Sequence, residues 1–211
     1  MTDCFSVDVI FQSPRCECCG KEQISSKGLC LKCRENPVLK STDRVFPLLS
    51  YRLWNKELMF RWKIQGERVL SPVFARMMFK ALKKLDEKIL VPVPPRRGKI
   101  RKNGWDQIEE LCHFLEIRNG FTVLRILERR SRKQHKKLNR SERLETIKSS
   151  YAICSKAVLS KELKKTGGEL PEEVCLIDDV CTTGATIESC AEILKKEGVK
   201  AVNAVTLFTV D

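Results

Sequence analysis

Residues 174–186 read VCLIDDVCTTGAT: an apolar run, two adjacent aspartates, then a turn built of threonine, glycine and alanine. The apolar residues, approached through Gly167, Gly168 and Pro171, predict a buried strand over 173–178, and the turn after the aspartates opens a helix. A strand that turns directly into a helix aims unpaired backbone amides, and the positive end of the helix dipole, at whatever lies beyond the sheet. Gly184 lets the backbone come close to a phosphate, Ala185 leaves the approach uncrowded, and Thr182, Thr183 and Thr186 add hydroxyl donors. Asp178 and Asp179 cannot bind phosphate themselves; they accept hydrogen bonds from vicinal hydroxyls or reach a metal through water. An Asp-Asp turn with threonine as helix cap explains two or three of these residues but not the whole run. A Walker-type triphosphatase would need G-x-x-x-x-G-K-[ST], which the sequence does not contain.

Around this run, from Val45 onward, the chain alternates strand and helix patterns, which predicts an α/β domain with a mainly parallel, doubly wound sheet. VFPLLSY (45–51) reads as a strand whose Pro47 favours an edge, KILVPVPP (88–95) as a buried strand, FTVLRIL (121–127) as another, and VKAVNAVTLF (199–208) as the strand that closes the sheet. A helix is expected from about Gly66, with two stripes, Val69, Val73, Met77 and Leu70, Phe74, Met78. Trp105, Ile108, Leu111, Cys112 and Leu115 mark the apolar face of a second helix, and Ile187, Cys190, Ala191 and Leu194 that of a third, ending at Gly198.

The first part of the chain is different. Eleven cysteines, an odd number without a secretory leader, predict reduced thiols in a cytoplasmic protein. Four of them form two C-x-x-C pairs, Cys16 and Cys19, then Cys30 and Cys33. Four thiolates so spaced surround a tetrahedral Zn²⁺ with every position filled by protein, a structural site; Cys18 is a rival ligand inside CECCG. Gly20 suits a knuckle turn whose amide points back at sulfur. Metal would also stabilise a segment too short to bury a core of its own. A boundary is placed near ENPVLKSTD, giving a zinc ribbon over 1–40 and the α/β domain over 41–211. No stretch approaches the ~18 apolar residues of a membrane helix, so no membrane insertion is expected.

The formal net charge is +13, and two short segments carry +12 of it: RRGKIRK (96–102) and RRSRKQHKKLNRSER (129–143). In a doubly wound sheet ligands bind outside the carboxyl ends of the strands. Both segments leave predicted strand ends there, so Arg96, Arg97, Lys99, Arg101, Lys102, Lys136 and Lys137 are candidates to oppose phosphate, on a small molecule or on nucleic acid.

VCLIDDVCTTGAT resembles the 5-phosphoribosyl 1-pyrophosphate (PRPP) motif of type I phosphoribosyltransferases: an apolar strand, two acids, then T-T-G-x-T. The resemblance extends to the ComF family, associated with bacterial competence and DNA uptake. Its pieces here are the four cysteines, WKIQGER with Lys63 and Gly66, VPVPPRRGKIRKNGWDQ, RSRKQHKKLNRSER and DDVCTTGAT, in order over residues 16–207. The resemblance implies a type I phosphoribosyltransferase-like fold. It also implies a PRPP site at Asp178, Asp179, Thr182, Thr183, Gly184, Ala185 and Thr186, and pyrophosphate or nucleic-acid contacts that include Gln107, Gln134 and Arg143. Where the family has R-G-F-N-Q, this chain has Asn103, Gly104, Trp105, Asp106 and Gln107.

Two functions follow as expectations. One is a protein that binds PRPP with Mg²⁺ and single-stranded DNA and serves DNA uptake, with other DNA-uptake proteins as candidate partners. In it Trp105, among cations, is a platform for an exposed base. The alternative is an active phosphoribosyltransferase that moves ribose 5-phosphate from PRPP to a nucleobase or related acceptor, although no acceptor pocket is legible.

Overall fold

A computed structural model of the chain describes residues 14–24, 28–35, 39–95, 98–100, 104–130 and 150–210. In chain order these hold α1 (Leu31–Glu35), β1 (Arg44–Ser50), α2 (Trp54–Lys63), α3 (Ser71–Lys84), β2 (Ile89–Pro92), α4 (Gln107–Asn119), β3 (Thr122–Val123), β4 (Leu127–Arg129), β5 (Tyr151–Ile153), α5 (Lys156–Leu163), β6 (Glu173–Cys181), α6 (Ala185–Lys196) and β7 (Ala201–Thr209). The main sheet has the order β1-β7-β6-β2-β3 with every pairing parallel, and helices cover both its faces.

The pleat of β6 divides the core. Cys175 and Ile177 point to one face, where they meet Trp62 of α2, Phe74 and Met78 of α3, and Leu111 and Leu115 of α4. Val174 and Leu176 point to the other, against Ile187, Cys190 and Leu194 of α6. A strand buried on both faces reads as an unbroken apolar run, which is why the sequence shows one at 174–177.

β1 is an edge strand, as Pro47 requires, and the cysteine-rich segment covers that edge. The Val45 amide donates to the Cys18 carbonyl at 3.1 Å, and Arg15 Nη1 donates to the carbonyls of Pro47 at 2.8 Å and Gly20 at 3.0 Å. Gly20, at φ +68°, passes so near the strand that a Cβ there would sit 2.1 Å from Val45 O.

Several expectations are corrected. FTVLRIL is not one strand: only Thr122–Val123 joins the sheet, and β4 pairs antiparallel with β5 in a separate two-stranded ribbon. The carbonyls of Lys88 and Leu90 accept from Thr122 and Leu124, so alternate residues of β2 face β3, and the next two such positions are Pro92 and Pro94. Neither has an N–H to offer, and the ladder ends there. β7 lies between β1 and β6 instead of closing the sheet. α3 starts at Ser71 after a 3₁₀ turn over Arg68–Leu70, and Val69 and Val73 are exposed, so Leu70, Phe74 and Met78 form the core stripe, joined from the other expected stripe by Met77 alone.

Candidate functional site

β6 continues through Cys181, so Asp178 and Asp179 stand within the strand, not beyond it. Consecutive strand residues face opposite sides of the sheet, and the two acids are divided accordingly. Asp179, buried, turns toward α2 and α4: its Oδ2 accepts from Lys63 Nζ at 2.5 Å and from Gln107 Nε2 at 2.6 Å. Asp178 lies nearer β5 and α6: burial first, and then the charge of Asp178, raise the pKa values of Tyr151 and Cys190. Its Oδ1 accepts the amide of Asp179 at 2.8 Å. Burial, and then the neighbouring charge of Asp179, push the Asp178 carboxyl well above the usual carboxylate range.

Gly184 bridges β6 and α6 in the left-handed region, at φ +80°. A Cβ there would sit 3.0 Å from Leu39 Cδ2, so the loop is backed by the segment that leads from the cysteine cluster into β1. Thr182 and Thr183 are exposed and Thr186 is half-buried.

One cleft of about 590 Å³ gathers Asp178, Asp179, Thr182 and Thr186 from β6 and α6, Lys63 from α2, and Lys99 and Gln107 from before and within α4. It lies at the carboxyl ends of β2 and β6, where an open α/β sheet binds ligands. Thr183 and Gly184 line a smaller cavity on the other side of the loop, shared with Cys19 and Cys33; Ala185 is buried at the head of α6.

The departure at Asp106 has a structural reading, together with Gln107 beside it. Asp106 caps α4, its Oδ1 accepting the amides of Ile108 at 3.0 Å and Glu109 at 3.1 Å, while its Oδ2 takes Lys99 Nζ at 2.6 Å. Lys99 also donates to Gln107 Oε1, whose amide nitrogen reaches Asp179. A continuous polar chain thus joins Lys63, Asp179, Gln107, Lys99 and Asp106. Trp105, expected as a stacking platform, is half-buried: it packs at 6.4 Å on Trp62, with Arg68 Cζ 5.7 Å above its ring. The exposed indole among the three tryptophans is that of Trp54. Arg96, Arg97, Arg101, Lys102, Asn103, Gln134, Lys136, Lys137 and Arg143 lie outside the described residues. The second basic segment leaves β4 of the small ribbon, not a strand of the main sheet.

The four cysteines meet. The sulfurs of Cys16, Cys19, Cys30 and Cys33 all lie within 4.8 Å of one another, and Cys19 and Cys30 are 3.7 Å apart. Tetrahedral zinc with Zn–S distances of ~2.3 Å sets sulfurs about 3.8 Å apart, so this donor set fits a metal such as zinc. Cys18 is outside the cluster and gives its carbonyl to β1. Burial raises the Cys16 thiol, but the backbone amides of Cys30, Cys19 and Cys18 outweigh it and bring it down to about 7. The Gly20 amide bonds the Cys16 carbonyl at 2.9 Å; the amide held on the Cys16 sulfur is that of Cys30, at 3.2 Å.

Two residues that sequence reasoning missed belong to this region. Glu188, buried in the first turns of α6, accepts the amides of Lys40, Ser41 and Thr42 and so ties the inter-segment linker beneath the threonine loop. Arg129 reaches the cleft from β4 and lies over Tyr151.

Competence protein ComFC of Streptococcus pneumoniae is 31% identical over 208 residues, spanning 98% of this chain and 86% of the relative. The chain belongs to the ComF family. Two more distant members are Competence protein F of Haemophilus influenzae, 26% identical over 205 residues, and Competence protein ComFC of Bacillus subtilis, 25% over 204. Their alignments cover 90% and 92% of this ComF chain, and 82% and 76% of the relatives. No family model matches the chain.

Proposed function

We propose that this ComF protein binds PRPP with Mg²⁺ in the cleft at the ends of β2 and β6, binds single-stranded DNA on its basic segments, and serves DNA uptake in competence. The reading is carried by one observation: both acids, with Thr182 and Thr186 from the two ends of the threonine turn, line a single cleft outside a parallel sheet. The relatives' names supply the competence role.

In this reading Thr182 to Thr186 and the amides opening α6 hold the 5-phosphate, and Asp178 and Asp179 take ribose hydroxyls or orient the metal. Arg96, Arg97, Lys99, Arg101 and Lys102, with Gln107, oppose the pyrophosphate; Gln134, Lys136, Lys137 and Arg143 extend that surface toward DNA. Mg²⁺, when bound with the ligand, neutralises phosphate charge. Residues 1–40 form a ribbon with structural Zn²⁺ on Cys16, Cys19, Cys30 and Cys33, and residues 41–211 form the phosphoribosyltransferase-like domain. The protein acts in the reducing cytoplasm beside other DNA-uptake proteins. Ribosyl transfer from PRPP to a nucleobase or related acceptor is the second reading, read out as pyrophosphate release in the presence of a panel of bases.

PRPP with Mg²⁺ should raise the melting temperature, and Asp178→Ala should abolish the rise. No rise for the wild-type protein rules out the PRPP site. Binding of a labelled single strand should weaken steeply with salt, and the slope should flatten in Lys136→Ala/Lys137→Ala; an unchanged slope removes that segment from the interface.

A further inference from the structure

The threonine loop has a charge deficit. Residues 181–186, CTTGAT, contain no cation, and Lys21 and Lys32 line the cavity on the other side of the loop, so on the cleft side the loop itself offers a terminal phosphate only amides and hydroxyls. The missing charge stands across the cleft. Arg129 of β4 is the cross-strand partner of Tyr151 of β5, and its Cζ lies 5.2 Å from the Tyr151 ring centroid. Tyr151 is only 6% exposed, and it lines the cleft together with Thr186 at the start of α6. The same guanidinium is near enough to Cys190, the next turn of α6, to influence its thiol. Arg129 is therefore held near the first turns of α6, over a buried ring that lines the same cleft as Thr182 and Thr186.

Its bonding is incomplete. Arg129 Nε is buried and, among the described residues, has no hydrogen-bond partner. A buried donor in a charged fork is costly to leave unpaired, and Arg129 lines the cleft, where an anion would complete it. Guanidinium forks match phosphate oxygens two at a time.

We propose that Arg129, seated on Tyr151, is the cation of the threonine-loop subsite, and that it makes this subsite selective for a terminal phosphate monoester on a sugar. The inference rests on the sugar-phosphate reading of the cleft, and its test separates the two. Binding of ribose, ribose 5-phosphate, Mg²⁺-pyrophosphate and PRPP is measured by calorimetry for the wild-type protein, Arg129→Gln, Arg129→Lys and Tyr151→Phe, each with its ligand-free melting curve. Arg129→Gln should weaken ribose 5-phosphate and PRPP by the same factor, about 10- to 100-fold for a charged hydrogen-bond pair, and leave pyrophosphate unchanged. Arg129→Lys, which keeps the charge and drops the Nε donor, should lose less than Arg129→Gln but more than nothing. Tyr151→Phe should show a smaller loss confined to the same two ligands.

If Arg129→Gln melts without ligand well below wild type, the Lys variant decides. Unchanged ribose 5-phosphate affinity in the folded variants overturns the assignment. So does a loss that falls on pyrophosphate instead, which would move Arg129 to the leaving-group side. If the wild-type protein binds none of the phosphates, the sugar-phosphate reading fails, whatever Arg129 does.

Discussion

Replacing Glu188 with alanine should destabilise the whole protein, because that carboxylate holds the linker onto α6. Its Oε1 accepts the amides of Lys40 at 2.9 Å and Ser41 at 2.7 Å; its Oε2 accepts the amide of Thr42 at 3.1 Å and the Thr42 hydroxyl at 2.9 Å. A hydrogen bond to a charged group contributes about 1.5–3 kcal/mol, but four on one carboxylate are not additive. Breaking a buried charge-assisted cluster of this kind costs about 3–5 kcal/mol. For a chain of 211 residues each kcal/mol moves the melting temperature by about 2–4 °C, so Glu188→Ala should melt about 10 °C lower. Glu188→Gln keeps the shape but turns an NH₂ toward amides that need an acceptor, and most of the loss should remain. Thermal denaturation followed by circular dichroism at neutral pH measures both. A drop below about 2 °C for Glu188→Ala, less than one kcal/mol on that scale, would show that these hydrogen bonds do not hold the linker.

Metal analysis of purified protein should return about one zinc per chain, and Cys30→Ser should lose it; a metal-free wild-type protein that is fully folded would exclude the ribbon's metal. Gly20→Ala should cost about 2–4 kcal/mol in urea denaturation, since the new Cβ meets Val45 O at 2.1 Å and Pro47 Cδ at 2.4 Å in a left-handed conformation. Stability equal to wild type would contradict that close approach. Asp178, whose pKa is raised in the folded state by burial and then by Asp179, favours its neutral form. The stability from that form is complete below the usual aspartate range and is lost as pH rises through the folded value. Asp178→Asn should therefore gain on wild type as pH rises, and melting curves at pH 5 and pH 9 that differ by the same amount would refute this.

The legible parts of this molecule are those in which neighbouring residues carry the information. Val174 to Ile177 announce a doubly buried strand, the glycine-threonine turn announces the helix after it, and C-x-x-C spacing announces the cysteine cluster. What stayed hidden depends on register. FTVLRIL has the composition of a strand, and only the pairing of β2 reveals that Pro92 and Pro94 face it and end the ladder. α2 carries Met59 and Trp62 in the core but opens on exposed Leu53 and Trp54, which blurs its apolar face. α5 buries none of its residues and so has no amphipathic signature. In the site, Asp178, Asp179, Thr182 and Thr186 could be named from one run of sequence. Glu188 looks like an ordinary polar helix residue until Lys40 to Thr42 are folded against it, and Arg129 like one more charge in a basic segment until β4 pairs with β5.

The acid in this basic protein is also less uniform than the letters DD imply. Asp179 is buried, and burying a carboxylate is tolerable only with a counter-charge and filled lone pairs. Lys63 and Gln107 supply both, Gln107 being fixed in turn by Lys99 and Asp106, so one half of the pair is held as part of a rigid polar chain. Asp178 is one residue along and on the other side of the pleat. It has the charge of Asp179 beside it, and its environment disfavours ionisation. In the proposed reading the two acids then respond differently to a metal-bearing phosphate ligand. A cation at Asp179 would have to compete with Lys63, while one beside Asp178 would offset the charge of Asp179 and favour the ionised carboxylate. The adjacent letters thus describe one anchored carboxylate and one poised to respond, and the pleat of a single strand is what separates them.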